Sequence, residues 1–267
     1  VSAPDQLLVV IDAVARRNDG ESVRIATDVL RAGASVKICL ADTPAEFARA
    51  LARRGSRRPV VIGDDRALLR AVAQLHRERE LADGALSLVP VGARGGVELA
   101  GALGVPLGAV AAARAVLDGA ARRLDLLVDD SDGVVVRGLR IPAGPAGLAV
   151  VEPPTVWDTC RSLVRTLVRP APAVPAMRAH RLRVEVDGRL LSDLDDPVEG
   201  VTVLSRGGVA EVVVRPRAAE PVRAEATAVT ISGASFRYRA DALVTGPVWT
   251  RTWTLRPSAW SLTLPAA

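Results

Sequence analysis

The chain has 267 residues, 49% of them apolar, enough to bury one large core or two moderate ones; two domains suit that length better than one. Its net charge is +5, yet Lys37 is the only lysine, so the positive charge is almost all arginine and reports GC-rich coding bias more than a partner. No run of about 18 apolar residues lacks a charge, and VSAPDQLLVVIDAV has no basic region before its apolar run, so neither a membrane span nor a signal peptide is expected.

From Gln6 to about Val128, short apolar runs alternate with helical periods. The runs are Leu7–Ile11, Val36–Leu40, Val60–Ile62, Leu86–Val89 and Leu124–Val128. The helices expected between them are Glu21–Arg31, closed by Gly33; Pro44–Arg54, with proline at its start and Gly55 just past its end; Arg66–Glu80; Val97–Leu103; and Leu107–Asp118, closed by Gly119. Strands buried on both faces and separated by helices imply a mostly parallel sheet with right-handed crossovers. Ligands of such sheets bind beyond the carboxyl ends of the strands. Four turns collect there: Asp12–Gly20, Ala41–Thr43, Gly63–Arg66 and Val91–Gly96.

The character changes after Asp129. VVVRGLRI (Val134–Ile141) is strand-like, a helix is expected at Thr155–Val168 between two proline-rich stretches, and from His180 the pattern is all β: HRLRVEVDG, VEGVTVLS, GVAEVVVRP, RAEATAVTIS, SFRYRADALV, VWTRTWTLRP and AWSLTLP. Asp187-Gly188 reads as a hairpin turn. The expected fold is therefore α/β plus all-β: an N-terminal, mostly parallel α/β domain over residues 1–132 and a C-terminal β-sandwich-like domain over 133–267 that includes the helix near 155–168. Trp249, Arg251, Trp253 and Leu255 alternate onto one strand face, which reads either as an exposed aromatic platform for a ligand or, better suited to the large area of each tryptophan, as a sandwich core.

Few residue types here suggest ready-made chemistry. Cys39 and Cys160 lie far apart and read as core thiols in a reducing cytoplasm, not a disulfide or a metal site. His76 and His180 are the only histidines, and His76 sits in the charged run HRERE, which reads as a solvated face. Arg53-Arg54 and Arg57-Arg58 close a helix and the turn after it, where a solvated surface is the simplest reading. Nucleic-acid binding is not expected, since aromatics are scarce and no reading helix or stacking motif appears. No G-x-G-x-x-G follows the first strand, where VVIDAVARRNDG stands, so a simple dinucleotide-binding domain is not expected.

The order of the two halves, the ending AWSLTLP, and the motif remnants VVIGDDRALL, LVPVGARGGVELAGALGVP and FRYRADALV resemble the diacylglycerol kinase catalytic-domain family of bacterial lipid kinases and sphingosine kinases. The resemblance covers nearly the whole chain and is carried by order and hydrophobic pattern more than by motifs. It sets Ile62-Gly63-Asp64-Asp65-Arg66 on the family's GGDGT phosphate loop, so that the second Gly and the Asp remain. Asp12 takes the place of a Pro in Asn-Pro. Pro90 and Gly92 remain from Pro-x-Gly-Thr, while Val97, Glu98 and Leu99 replace Asn-Asp-Phe. Asp241-Ala242-Leu243 stands on Asp-Gly-Glu. NAD kinases share a GGDGT loop and a two-domain plan, but the closing strand fits the lipid kinases better.

The resemblance implies Gly63, Asp64, Asp65, Arg66 and Gly92 as nucleotide-binding residues, Asp241 as catalytic base, and ATP with Mg²⁺ as cofactors if the protein is active. No dedicated protein metal site is expected. A nucleotide and a lipid or membrane surface are the implied partners, with a protein partner or homo-oligomer open, and the implied location is the cytoplasm or the periphery of a membrane. The substitutions argue against full activity. A phosphate loop needs successive backbone N–H groups turned to the anion with no side chain in the way. Asp64 and Asp65 would set carboxylates there, and two like unit charges about 4 Å apart repel by roughly 4 kcal/mol at an effective dielectric of 20. Mg²⁺ bridging carboxylates to phosphates, or a forked contact from Arg66, would offset that. Three readings follow: a kinase-like protein with weak or lost phosphotransfer and a binding or regulatory role, an active lipid kinase, and an interaction module with an empty cleft.

Overall fold

The computed structural model of the protein describes residues 6–144 and 179–266. Four strands form a parallel sheet in the order β2-β1-β3-β4: β1 (Gln6–Asp12), β2 (Ser35–Ala41), β3 (Arg58–Gly63) and β4 (Ala85–Pro90). Helices α2 (Gly20–Gly33) and α6 (Ala109–Asp118) cover one face, burying Val23, Ala26, Leu30, Ala112 and Val116 against Leu7, Val9 and Val60. Helices α3 (Pro44–Ala52) and α4 (Asp65–Arg77) cover the other through Phe47, Leu51, Leu68, Val72 and Leu75. The first half is the expected three-layer α/β unit.

Three departures from the pattern have local causes. Asp12 caps an unexpected helix, α1 (Ala13–Asn18), by accepting a bond from the Val14 N–H at 2.9 Å, so a stretch read as a turn is helical. Helix α4 ends at Arg77, because Arg79 takes the left-handed conformation (φ 59°). Helix α3 likewise ends at Ala52, and its arginines are not simply solvated: Arg54 pairs with Glu80, and Arg58 donates to the Val116 carbonyl at 2.7 Å. His76 is also bonded, to Asp132 at 2.8 Å.

The strand read as the fifth of the parallel series is β5 (Ala120–Asp129), and it runs antiparallel to β14 (Leu243–Leu264) instead. The place beside β4 is taken by the end of β14, which pairs with it in parallel at Ser261–Ala85 and Leu262–Leu86. The second sheet continues as β14-β13-β7-β10-β11-β12, with β7 (Gly138–Ile141), β10 (Val198–Arg206), β11 (Val209–Pro216), β12 (Val222–Ala226) and β13 (Ala228–Ala240). The short β6 (Val134–Val135) pairs with β5, and the hairpin of β8 (Leu182–Val186) and β9 (Arg189–Ser192) pairs with β13. The Asp187-Gly188 turn has φ of 46° and 79°, the left-handed pair a two-residue hairpin requires. The segments VWTRTWTLRP and AWSLTLP are one strand with an irregularity between Arg256 and Trp260, whereas RAEATAVTIS divides at Thr227.

The alternation along β14 sends its tryptophans to different surroundings. Trp253 and Leu255 are buried in the core of the β-rich half, with Trp253 edge-on to Tyr238 at 5.1 Å, while Trp260 and Leu262 are buried in the α/β core. Trp249 is 69% exposed, contrary to the core assignment, because it precedes the part of β14 that β5 covers. The helix expected at 155–168, and Cys160 with it, lies outside the described residues; Cys39 is half-buried against the α/β core. Among the described residues no helix is long and apolar enough to cross a membrane.

Trp260 joins the sheets, fully buried and donating from Nε1 to the Asp125 carbonyl at 3.1 Å. Replacing it with alanine should cost about 3–5 kcal/mol of stability. Urea unfolding reads this as a lower midpoint at unchanged slope, and a loss below about 1 kcal/mol would show that the seam packs less tightly than the burial of Trp260 implies.

Candidate functional site

A cleft of about 790 Å³ lies between the carboxyl end of β3 and the outer face of the second sheet. One wall carries Asp64, Asp65, Arg66, Gly96 and Glu98; the other carries Arg137, Arg140, Thr202, Arg239 and Asp241. Four of the six residues singled out in the sequence thus share one cavity. Gly63 is buried behind it: a Cβ there would come within 2.5 Å of the Ala67 Cβ and 3.2 Å of the Asp12 Cβ. Gly92 packs against Asp64, whose Cβ would be 3.2 Å from an added side chain.

The two carboxylates of the GDDR turn are both engaged. Asp64 is the N-cap of α4: its Oδ1 accepts from the Ala67 N–H at 2.9 Å and its carbonyl from the Leu68 N–H at 3.1 Å. Asp65 reaches across to another helix, α5 (Glu98–Ala102). Its Oδ2 accepts from the Leu99 N–H and its Oδ1 from the Ala100 N–H, both at 2.9 Å. Asp65 is 2% exposed; burial pushes its carboxyl above the usual range, and the two N–H groups pull only part of the way back.

Between Ile62 and Arg66 no residue has positive φ, so the alternating backbone that gathers successive N–H groups around an anion is not formed. The strand order reverses between β1 and β3. Asp12 pairs there with Arg70, whose guanidinium lies 5.4 Å from the centre of the Phe47 ring.

Asp241, at the turn from β13 into β14, takes the left-handed conformation (φ 48°). Its Oδ2 accepts from the Val136 N–H at 2.7 Å, and its Oδ1 from the Arg137 and Gly138 N–H groups at 2.9 and 3.0 Å. A carboxylate has about four acceptor positions, and three are taken. Burial pushes this carboxyl up as well, against the pull of the three donors. Leu243, two residues on, is exposed.

Sequence reasoning did not find the arginines of the strand wall. Arg140 on β7 is directly opposite Arg239 on β13, and Thr202 on β10 is opposite Arg140 from the other side. Their signal was the period-2 spacing of RYR around the buried Tyr238 and of LRI between buried Leu139 and Ile141, which puts arginines on the face turned from the core. Among the described residues no group of three or more His, Cys, Asp or Glu side chains is arranged to hold a metal ion.

No protein-family model and no curated protein matches the chain. Solved structures do. Two described as "a putative diacylglycerol kinase from Bacillus anthracis str. Sterne" superpose with TM-scores of 0.73 and 0.74 at 12% identity, over 99% of this chain and 98% and 96% of theirs. A third, described as a diacylglycerol kinase from the same organism, gives 0.71 at 12% identity over 99% of this chain and 98% of its own. The likeness is one of fold, across both halves.

Asp65→Asn tests the cap. An amide leaves at least one of the two N–H groups without its acceptor, and a loss of about 1–3 kcal/mol is expected. The raised carboxyl means that the folded state binds more protons than the unfolded state just above the ordinary aspartate range, so its contribution to stability grows as pH falls through the folded-state pKa. The gap between wild type and Asp65→Asn should therefore widen from neutral pH to about pH 4. A pH-independent gap in chemical denaturation would contradict the raised value.

Proposed function

We propose that the chain is a diacylglycerol kinase-like protein in which ATP-dependent phosphotransfer is weak or lost and whose cleft serves a binding or regulatory role, in the cytoplasm or at the edge of a membrane. The shared fold supports the kinase-like part of this reading. The rest is carried by one observation: the carboxylates at the positions of a phosphate loop and a catalytic base already serve the protein's own backbone N–H groups.

ATP with Mg²⁺ fits these residues poorly. The first turn of α4 spends its Ala67 and Leu68 N–H groups on Asp64, leaving fewer donors for a phosphate. Asp65 is turned away toward α5, and Asp241 holds the turn at Val136–Gly138, so neither is a free carboxylate for a metal or for the proton of an acceptor hydroxyl.

One observation favours an active lipid kinase instead. Burial raises the Asp241 carboxyl in the direction that suits a proton acceptor near neutral pH, and it faces the GDDR turn across the same cleft.

Titration with ATP-Mg²⁺ and with ADP, followed by calorimetry and thermal shift, decides between them together with turnover of labelled ATP onto diacylglycerol or a sphingoid base. The expected outcome is no saturable response up to about 5 mM nucleotide, above the range of weak binding, and no labelled lipid. Multiple turnovers that disappear in a folded Asp241→Asn variant would establish the kinase.

A further inference from the structure

The cleft holds a second feature that the kinase comparison does not explain. Like charges placed directly opposite on neighbouring strands destabilise a sheet, yet Arg140 and Arg239 occupy such a pair. Neither has a carboxylate within salt-bridge distance among the described residues. They share one neutral acceptor, the Gly144 carbonyl, with Arg140 Nη2 at 2.6 Å and Arg239 Nε at 3.4 Å. The Arg140 Nε is buried with no partner. Burial, and then the charge of Arg239, lower the pKa of Arg140.

The carboxylates that share the cleft do not neutralise the pair. Asp65 and Asp241 are bonded to backbone N–H groups, Asp64 caps α4, and Glu98 stands on the opposite wall. Exposed Arg137 adds a further cation on the strand side. Apolar surface from Leu99, Ala102, Leu204 and Ala242 adjoins it in the same cavity.

We propose that Arg140 and Arg239 together bind the phosphate of a phosphomonoester whose apolar portion lies along the rest of the cleft. Two guanidinium forks match a group carrying close to two negative charges at neutral pH, with several acceptor oxygens, better than they match a single carboxylate. Such a ligand relieves the repulsion between the arginines by placing negative charge against both guanidinium groups. The inference deepens the proposed binding role by naming the ligand class of the same cleft. It does not depend on whether nucleotide is bound or turned over.

The test is calorimetric titration of the full chain with inorganic phosphate and glycerol 3-phosphate, and co-sedimentation with phosphatidylcholine vesicles with and without phosphatidic acid. Sodium chloride at matched ionic strength and sodium acetate serve as controls. Wild type should bind a phosphate-bearing probe, with affinity falling about 10- to 100-fold in Arg140→Gln and in Arg239→Gln. Each variant carries the prediction alone if the other does not fold. A response to soluble phosphate and glycerol 3-phosphate assigns a small phosphomonoester. A response confined to phosphatidic acid vesicles assigns the same chemistry to a lipid headgroup. The proposal is overturned if no probe binds, if chloride or acetate matches phosphate, or if both folded variants bind like wild type. ATP turnover would defeat the proposed function and leave these outcomes unchanged.

Discussion

The backbone N–H groups that open α4 and α5, and those of the turn at Val136–Gly138, all need acceptors, and three aspartates supply them. The requirement is strict because the groups lie at the rim of a cleft, partly withdrawn from water, where an unmatched donor costs about 1–3 kcal/mol. Asp64 works within its own helix. Asp65 ties the β3–α4 turn to α5, and Asp241 ties the β13–β14 turn to the segment between β6 and β7. Each of the last two joins parts of the chain far apart in sequence, so both walls of the cleft are positioned by carboxylates that a phosphotransfer site would need free.

The seam between the halves sets the distance between those walls. β14 begins in the β-rich half, contributes Trp253 and Leu255 to its core, and ends beside β4 with Trp260 and Leu262 in the α/β core. Ser87 donates to Thr263 at 2.8 Å in this seam, satisfying two buried hydroxyls where the sheets meet. Because one strand belongs to both cores, the cleft is built into continuous hydrogen-bonded sheet, and moving its walls apart would disturb the packing around Trp260.

The α/β half was legible because β1, β3 and β4 are buried on both faces and its helices carry clear start and stop residues, such as Thr43-Pro44 before α3 and Gly119 after α6. Local pattern failed where a distant partner decides. The run Leu124–Val128 looks like any other buried strand, and only the arrival of β14 beside β4, more than a hundred residues later, makes it antiparallel. Trp249 follows the same alternation as Trp253, but β5 covers only one of them. At the site, the turn residues and Asp241 were identified by position, yet their hydrogen bonds were not, since an aspartate that caps a neighbouring helix looks in sequence like one that meets a ligand. Arg140 and Arg239 lie 99 residues apart, and only strand pairing sets them opposite each other.

The two walls of the cleft therefore differ in what they offer an anion. On the helix wall, the N-terminal dipole of α4 would attract negative charge, but Asp64 has already claimed that attraction. On the strand wall, Arg140 and Arg239 have no carboxylate within salt-bridge distance among the described residues and repel one another, so an anion would gain there what it cannot gain at the turn. The two aspartates of the GDDR turn and the two arginines across β7 and β13 act in the same direction. Under the proposed binding role, a phosphate would therefore favour the face of the antiparallel sheet over the end of the parallel strand, within a fold shared with solved structures described as diacylglycerol kinases.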